Sequence, residues 1–233
     1  MNEILRMLVD RHYATDEEDP AEVRAMPVVL RIERADPPCR TDVLEAAAAA
    51  AIAVCLDPRA EPGGEWHDDV VAWVRGRIRK VSRRARGAHW EAVQALPGVT
   101  LTVGRAQVRA FVPARVVDLP KELSRLQISG SELPGDEPGP VPEGAHLLWL
   151  NPRVEMTAGK AAAQVGHASM LLAPTLSEEE LKEWAALDYR CAVRTPSPAE
   201  WDALLARPGV VVVRDAGYTE VDPGTATVAV CRS

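Results

Sequence analysis

The sequence predicts an α/β fold built of two similar three-layer α/β/α units, each on a small mixed four-stranded sheet, arranged as an internal pseudo-dimer. Three observations predict it. A Trp-anchored block recurs at an offset of 111 residues, short apolar strands and helices follow one another in the same order in both halves, and the core material is Ala, Val and Leu rather than aromatic. Trp73 falls on Trp184, Arg79 on Arg190, Arg83 on Arg194, and Ala88-His89-Trp90 on Ala199-Glu200-Trp201. The register continues through Ala92, Ala95, Pro97, Gly98 and Val99, which fall on Ala203, Ala206, Pro208, Gly209 and Val210. Only six of the 233 residues are Trp, so two Trp pairs in one register, with the blocks around them, mark a unit written twice.

Each element has a local reason. In the first copy, strands are expected at Met26–Glu33, Arg77–Arg83, Val99–Val103 and Val108–Val112, and helices at Thr41–Leu56, Trp66–Gly76 and Ala88–Leu96. In the second copy, His146–Leu150 is a short apolar strand. Gly159–Ala173 is an alanine-rich helix with Thr157 placed to cap its exposed N–H groups. Ser177–Leu187 follows as a helix with Glu178, Glu179 and Glu180 in its first turn, where the macrodipole favours acids. Tyr189–Arg194 is a strand, Pro198–Ala206 a helix entered by Pro and ended at Pro208-Gly209, and Val210–Val213 and Thr225–Val230 are the closing strands. Between the copies, Pro134–Gly144 carries four Pro and three Gly and reads as a semi-extended linker without a core of its own. The expected organisation is a leader at 1–25, helical at Glu3–Val9 and then acidic and loose, a first copy at 26–120, a linker at 121–144 and a second copy at 145–233. Two such units in one chain imitate a homodimer, so a monomer is expected.

Composition narrows the function. The formal charge of −7 gives an acidic surface on average, which argues against broad nucleic-acid binding by the whole surface. Cys39, Cys55, Cys191 and Cys231 form no C-x-x-C pair and the histidines have no zinc-site spacing, so no metal and no cofactor are expected. The longest apolar run, Ala46–Leu56, is too short to span a bilayer. A cytoplasmic protein with reduced thiols and no membrane partner is expected. A phosphate-binding loop is excluded, because Val154 and Ala161 stand where it needs Gly and Ser or Thr.

A polar cluster remains, confined to the second copy. Lys160, Gln164 and His167 sit at i, i+4 and i+7 on one stripe of an otherwise small and apolar helix. Lys160 lies in the first turn, where it adds to the positive helix terminus, and a nearby anion would resolve that conflict. Taken alone, Lys160 reaching solvent and an interior His167 would be the more ordinary explanation of the pattern. Asp215 ends an apolar strand, Ala216 and Gly217 begin a turn, and Thr219 and Thr227 lead into the next strand. A strand's C-terminal edge is the usual place for a ligand site in an α/β sheet, although a turn-initiating Asp is also ordinary there.

The run G-K-x-A-A-Q-x-x-H-A from Gly159, followed by D-A-G-x-T-x-V-x-P-G-T-x-T from Asp215, resembles the archaeal- and eukaryotic-type peptidyl-tRNA hydrolases over roughly residues 145–231. That resemblance implies metal-independent cleavage of the ester between a peptide, or an N-blocked amino acid, and the 3′ end of tRNA. It implies Lys160, Asp215, Thr219 and Thr227 as catalytic or site-forming residues, with Gly159, Gln164, His167, Ala216 and Gly217 binding substrate beside them. The chemistry fits the residue types. Asp215 can orient or deprotonate a water, and Lys160, with N–H groups at the helix terminus, can hold the oxyanion or a terminal phosphate. A Lys160–Asp215 ion pair is the expected resting state. The sequence departs from the family in the loop 151–158, which has lost most of its positive charge, in Glu220, and in a closing tail that it is expected to lack.

At the same offset the first copy has Gly104, Val108 and Val116 where Asp215, Thr219 and Thr227 stand. Aligning the alanine-rich helices puts Leu44, Ala48 and Ala51 where Lys160, Gln164 and His167 stand. The first copy is therefore expected to be catalytically blank. It carries instead Arg75, Arg77, Arg79, Lys80, Arg83, Arg84 and Arg86 with no acid among them, a candidate for phosphate contacts with tRNA or simply a strand with solvated alternate residues. The competing functions are a non-catalytic RNA- or nucleotide-binding protein on the same fold and a hydrolase of another small acyl ester.

Overall fold

The computed structural model describes residues 2–9, 18–217 and 219–232. The first half runs α1 (Glu3–Val9), β1 (Arg24–Arg31), α2 (Arg40–Leu56), α3 (His67–Arg75), β2 (Lys80–Ala85), α4 (Ala88–Val93), β3 (Gly98–Val103), β4 (Ala106–Phe111), β5 (Ala114–Arg115) and α5 (Lys121–Ser124). The second runs β6 (His146–Leu150), α6 (Ala158–Leu172), α7 (Glu178–Ala186), β7 (Cys191–Arg194), α8 (Pro198–Leu205), β8 (Val211–Arg214) and β9 (Ala226–Val230). The expected α/β architecture of two similar units on mixed sheets is what forms. The sheets have orders β2-β1-β4-β3 and β7-β6-β9-β8, with β5 adding to the edge of β1. In each, the first two strands are parallel and the remaining neighbours antiparallel. The predicted strand at Arg77–Arg83 forms three residues later, as β2.

The two Trp anchors do the same work in each unit. The indole N–H of Trp73 donates to the carbonyl of Arg79 at 3.0 Å, and that of Trp184 donates to the carbonyl of Arg190 at 2.8 Å. Each therefore ties the end of a helix to the start of the next strand while filling the core. Ser177 and Ser197 both make capping boxes, with Glu180 and Glu200 reaching back to the cap N–H groups.

Alanine and glycine let helices α2 and α6 pack directly against each other, and the two halves share one hydrophobic core through them. The Ser169 hydroxyl in α6 donates to the Ala48 carbonyl in α2 at 2.7 Å. The Glu45 carboxylate in α2 accepts from the Val193 N–H and the Arg194 guanidinium of the second sheet, at 3.0 and 2.8 Å. A lone buried carboxylate would be costly, and here it is both paired and hydrogen-bonded.

The helix expected at Glu3–Val9 forms as α1, and its Ile4, Leu5 and Leu8 are buried in the shared core; most of the acidic stretch expected to be loose, 10–17, lies outside the described residues. One expectation needs correction, since the segment 121–144 is no free linker. Leu123, Leu126 and Leu133 are buried, Ser131 is 3% exposed, and Asp136 accepts from the N–H and hydroxyl of Thr41 at the start of α2. Its Pro and Gly residues set an extended path, and the side chains between them supply the anchors.

His146 begins β6, with its ring edge-on to Trp184 at 4.9 Å and its Nδ1 buried without a hydrogen-bond partner among the described residues. Burial pushes its imidazole below the ordinary value, against a smaller opposing pull from Glu180. A base whose folded pKa is depressed contributes stability that is present above its unfolded value and lost as pH falls toward the folded one. Stability should therefore decline as pH falls through the ordinary imidazole range near about 6.5. Urea midpoints between pH 8 and pH 5 should show this decline in the native protein and a shallower one in His146→Phe. Equal slopes would assign the decline to other groups.

Candidate active site

The site forms where the first turn of α6 meets the C-terminal end of β8. Thr157 caps α6 by accepting from the Lys160 N–H at 3.1 Å, which turns the Lys160 side chain toward the strand ends. The Lys160 ammonium donates to Asp215 Oδ2 at 2.6 Å and to the Thr219 hydroxyl at 2.9 Å. The two charged side chains are 10% and 5% exposed, so this is a nearly buried pair, and its other lone pairs and protons must be matched.

They are matched by a chain with one sense of donation. The Thr227 hydroxyl donates to Gln164 Oε1 at 2.5 Å, and Gln164 Nε2 donates to Asp215 Oδ2 at 2.8 Å. Asp215 Oδ1 accepts from the Gly217 N–H at 2.8 Å. That last contact depends on a turn with φ of 79° at Gly217, a conformation a residue with a side chain rarely adopts. A carboxylate offers about four lone-pair sites, and an ammonium three donors. Three partners hold Asp215 and two engage Lys160 among the described residues, so one acceptor position and one N–H remain for water and substrate.

The helix terminus itself is already occupied. The Glu220 carboxylate accepts from the Thr157 N–H at 2.9 Å and the Thr157 hydroxyl at 2.8 Å, and the Gly159 N–H donates to the Ser131 hydroxyl at 3.1 Å. The absence of a side chain on Gly159 is what admits Ser131 so closely. The sequence expectation that these N–H groups serve an oxyanion or a phosphate is corrected by this arrangement. Glu220 staples the site loop to α6, and Lys160 Nζ is the donor left over. Sequence reasoning missed Ser131 entirely, since it lies 28 residues upstream in a segment read as a linker.

Lys160, Asp215, Gln164, Gly159, Ala216, Thr219 and His167 all line one cavity of about 610 Å³. Thr227 is fully buried behind it and acts on it through Gln164. Gly217 contributes its N–H from the turn. Among the described residues, the cations Lys160, Arg214, Arg77, Arg79 and Lys80 line the cavity with the carboxylates of Asp215 and Glu220.

The basic run of the first half divides. Arg77, Arg79 and Lys80 reach the cavity wall, and Arg79 pairs with Glu18 at 2.6 Å. Arg83 is 8% exposed and donates to the carbonyls of Ser124 and Leu126, so it points inward and holds the following turn. Arg84 engages Gln127 and the Ser129 carbonyl. Arg75 and Arg86 lie away from the cavity.

The first half differs from the second in a way the constant offset conceals. Strand register matches Val28 to Leu148 and Val108 to Val228, an offset of 120, because a two-residue turn, Gly104-Arg105, stands where the second half has the loop 215–225. Thr219 therefore has no counterpart, and Gln107, not Val116, lies at the level of Thr227. Counting from the caps Cys39 and Thr157, the positions of Lys160, Gln164 and His167 are held by Asp42, Ala46 and Ala49, not by Leu44, Ala48 and Ala51. Asp42 abuts Gly104 as Lys160 abuts Asp215. Burial, with the neighbouring Asp136 carboxylate, raises the Asp42 carboxyl above the ordinary value. The charge at this position is reversed and the ion pair is gone.

Among the described residues, no group of His, Cys, Asp and Glu is placed to hold a metal ion, and no helix is long and apolar enough to cross a membrane. Cys55 and Cys191 are buried thiols, with burial pushing Cys55 up to about 12 and Cys191 upward as well. Thiolate chemistry is therefore not available from either.

Neither a curated protein nor a solved structure matches the chain. Residues 146–232, the span that holds Lys160, Gln164, Asp215, Thr219 and Thr227 as one bonded network, match the family model of peptidyl-tRNA hydrolase PTH2.

Proposed function

We propose that the second half hydrolyses the ester joining a peptide, or an N-blocked amino acid, to the 3′ end of tRNA. The observation that carries the reading is the 2.6 Å contact between Lys160 and Asp215 on the wall of an open cavity. Ester hydrolysis needs a positioned water and a stabiliser for the oxyanion. The remaining acceptor position of Asp215 takes a proton of the attacking water. The water oxygen bonds to the carbonyl carbon and the carbonyl becomes an oxyanion against the third N–H of Lys160; as it collapses, the ester C–O bond breaks and the proton held by Asp215 passes to the leaving oxygen, which returns the ribose hydroxyl. The Gln164 and Thr227 bonds hold the carboxylate in one orientation while this occurs. Thr219, which accepts from Lys160, keeps its own O–H to donate to the acyl group or the ribose.

In this reading the charge is supplied by side chains, so hydrolysis is metal-independent and survives a chelator. The first half is a catalytically blank copy from a duplication, and the chain works as a monomer in which that half takes the place of a second subunit. A second reading, binding of RNA or nucleotide without turnover, draws on the lost charge of the loop 151–158 and on Glu220 at the helix terminus.

Purified protein incubated with N-acetylated aminoacyl-tRNA separates the two. Release of the acetylated amino acid, unaffected by EDTA and lost in Lys160→Ala, is the expected result. Binding of the tRNA without release would replace this reading with the second.

A further inference from the structure

The span that matches the family model begins at residue 146, yet the first turn of α6 is held from outside it. The chain from Leu126 to Asp136 forms a strap fastened to both cores. Leu126 is buried against the first sheet, the Gln127 carbonyl accepts from the Arg84 N–H at 3.0 Å, and Leu133 is buried in the core shared by the two halves. Gly130, with φ of 74°, turns the chain between these fastenings, and Ser131 follows it, 3% exposed. The Ser131 hydroxyl accepts from the Gly159 N–H of α6 at 3.1 Å. Further along the strap, Asp136 accepts from the N–H and hydroxyl of Thr41 in α2, at 3.1 and 3.0 Å. Counted from the cap residues Thr157 and Cys39, Gly159 and Thr41 hold the same position in their helices. One strap thus satisfies the same orphan N–H at the start of both central helices. Of the two, α6 carries the Lys160–Asp215 pair, and α2 has Asp42 where Lys160 stands.

We infer that Ser131 is a positioning residue for Lys160, fixing the first turn of α6 where the ammonium reaches Asp215 and Thr219 together. This inference rests on the hydrolase reading for the reaction it serves and on the strap for its geometry. Lys160 follows Gly159 directly, and its own N–H is held by the Thr157 hydroxyl. Thr157 is held in turn by Glu220, from the same loop as Asp215 and Thr219, so that contact moves with the site. Ser131 instead ties the turn to a strap fastened on the first sheet. A side chain at Gly159 would break the tie, because its Cβ would lie 2.5 Å from Ser131 Oγ. Without the hydroxyl, a buried N–H is left unmatched and the turn relaxes to find another partner. The Lys160 contacts of 2.6 and 2.9 Å leave little room for that. A misplacement of about 1 Å in a reacting group can cost about a hundredfold in rate.

The test uses the full chain and compares the two ends of the strap. On N-acetylated aminoacyl-tRNA, Ser131→Ala should lower kcat about tenfold and leave KM within about twofold, since no substrate contact is removed. Ser131→Thr keeps the hydroxyl and should recover most of the rate. Asp136→Ala removes the equivalent acceptor from α2; it should lower the urea midpoint as Ser131→Ala does, yet keep kcat within about twofold of native. A second readout is independent of turnover. Trace acetylation by acetic anhydride, read by mass spectrometry, should modify Lys160 slowly in the native protein, where its side chain is 10% exposed and doubly held, and readily at the exposed Lys182. Ser131→Ala should raise the Lys160 rate severalfold relative to Lys182, and Asp136→Ala should not. Equal kcat losses in Ser131→Ala and Asp136→Ala would show general loosening and overturn the assignment. A native kcat with native Lys160 acetylation in Ser131→Ala would also overturn it. A native protein without ester turnover, in which Lys160 acetylation still rises in Ser131→Ala, removes the hydrolase reading and leaves the positioning role. Turnover that is lost in Lys160→Ala and indifferent to Ser131 does the reverse.

Discussion

Asp215→Asn is expected to lower kcat on N-acetylated aminoacyl-tRNA by about 10³-fold while leaving the fold intact, a loss typical of removing a positioned proton acceptor. The substitution keeps the shape but not the electrostatics. Asp215 accepts from Lys160, Gln164 and the Gly217 N–H, and an amide offers only one oxygen for those three donors. Its NH₂ group would have to face at least one of them, which turns either Lys160 or the Gly217 turn away. The lone pair reserved for water goes with it. Circular dichroism and urea midpoints should show a folded protein, so that the rate loss reports chemistry. A kcat within tenfold of the native value would remove the carboxylate from the reaction.

The second large effect is on stability. Trp184→Ala should cost about 3–5 kcal/mol, the range for truncating a large aromatic in a core. Trp184 is 2% exposed, meets the rings of His146 and Tyr189 edge-on, and donates to the Arg190 carbonyl. Truncation leaves a cavity and an unmatched carbonyl together. Domains are commonly stable by only about 5–15 kcal/mol, so much of the total is at stake. Trp184→Phe should cost less, since it retains most of the packing and loses mainly the N–H. Trp73→Ala should match Trp184→Ala, because its indole makes the same bond to the same relative position, Arg79. Urea unfolding measures all three, and a loss under about 1.5 kcal/mol in Trp184→Ala would contradict the anchoring role, being within the range of a well-tolerated swap.

That equivalence of the two Trp residues explains why so much of the architecture could be read from the sequence. Trp73 and Trp184 fix helix to strand by local contacts, and such contacts keep their spacing when a unit is repeated. The offset of 111 holds from Trp73 through α4 for that reason and shifts by one residue across most of β3, where Val99 pairs as Val211 does. It fails beyond β3 because the loop at 215–225 is nine residues longer than the Gly104-Arg105 turn, which shifts the equivalence in β4 to 120. A loop can lengthen without disturbing the ladder on either side of it, so the strands give no warning in their own pattern.

The site was legible to the same degree. Lys160 and Gln164 declare themselves by sharing one stripe of a helix, and Asp215 by closing a strand. Their meeting required the two motifs to be taken together. Ser131 was beyond reach, as were the contacts of Glu220 and Lys80, because each acts across a distance in sequence that no periodicity spans. Ser131 holds Gly159 from a Pro/Gly-rich segment, Glu220 returns to Thr157, and Lys80 meets His167 from the other half. Arg83 shows the opposite error of pattern reading. It belongs to a basic run by composition, yet the pleat of β2 turns it inward to the carbonyls of Ser124 and Leu126.

The most direct test of the central claim, that Lys160 and Asp215 act on the ester as one unit, is a comparison of kcat for Lys160→Ala, Asp215→Asn and the double variant on N-acetylated aminoacyl-tRNA. Groups that act as a unit are strongly non-additive, so the double variant should be no slower than the worse single one. Multiplied losses in the double variant, or a native rate in either single one, would contradict the account.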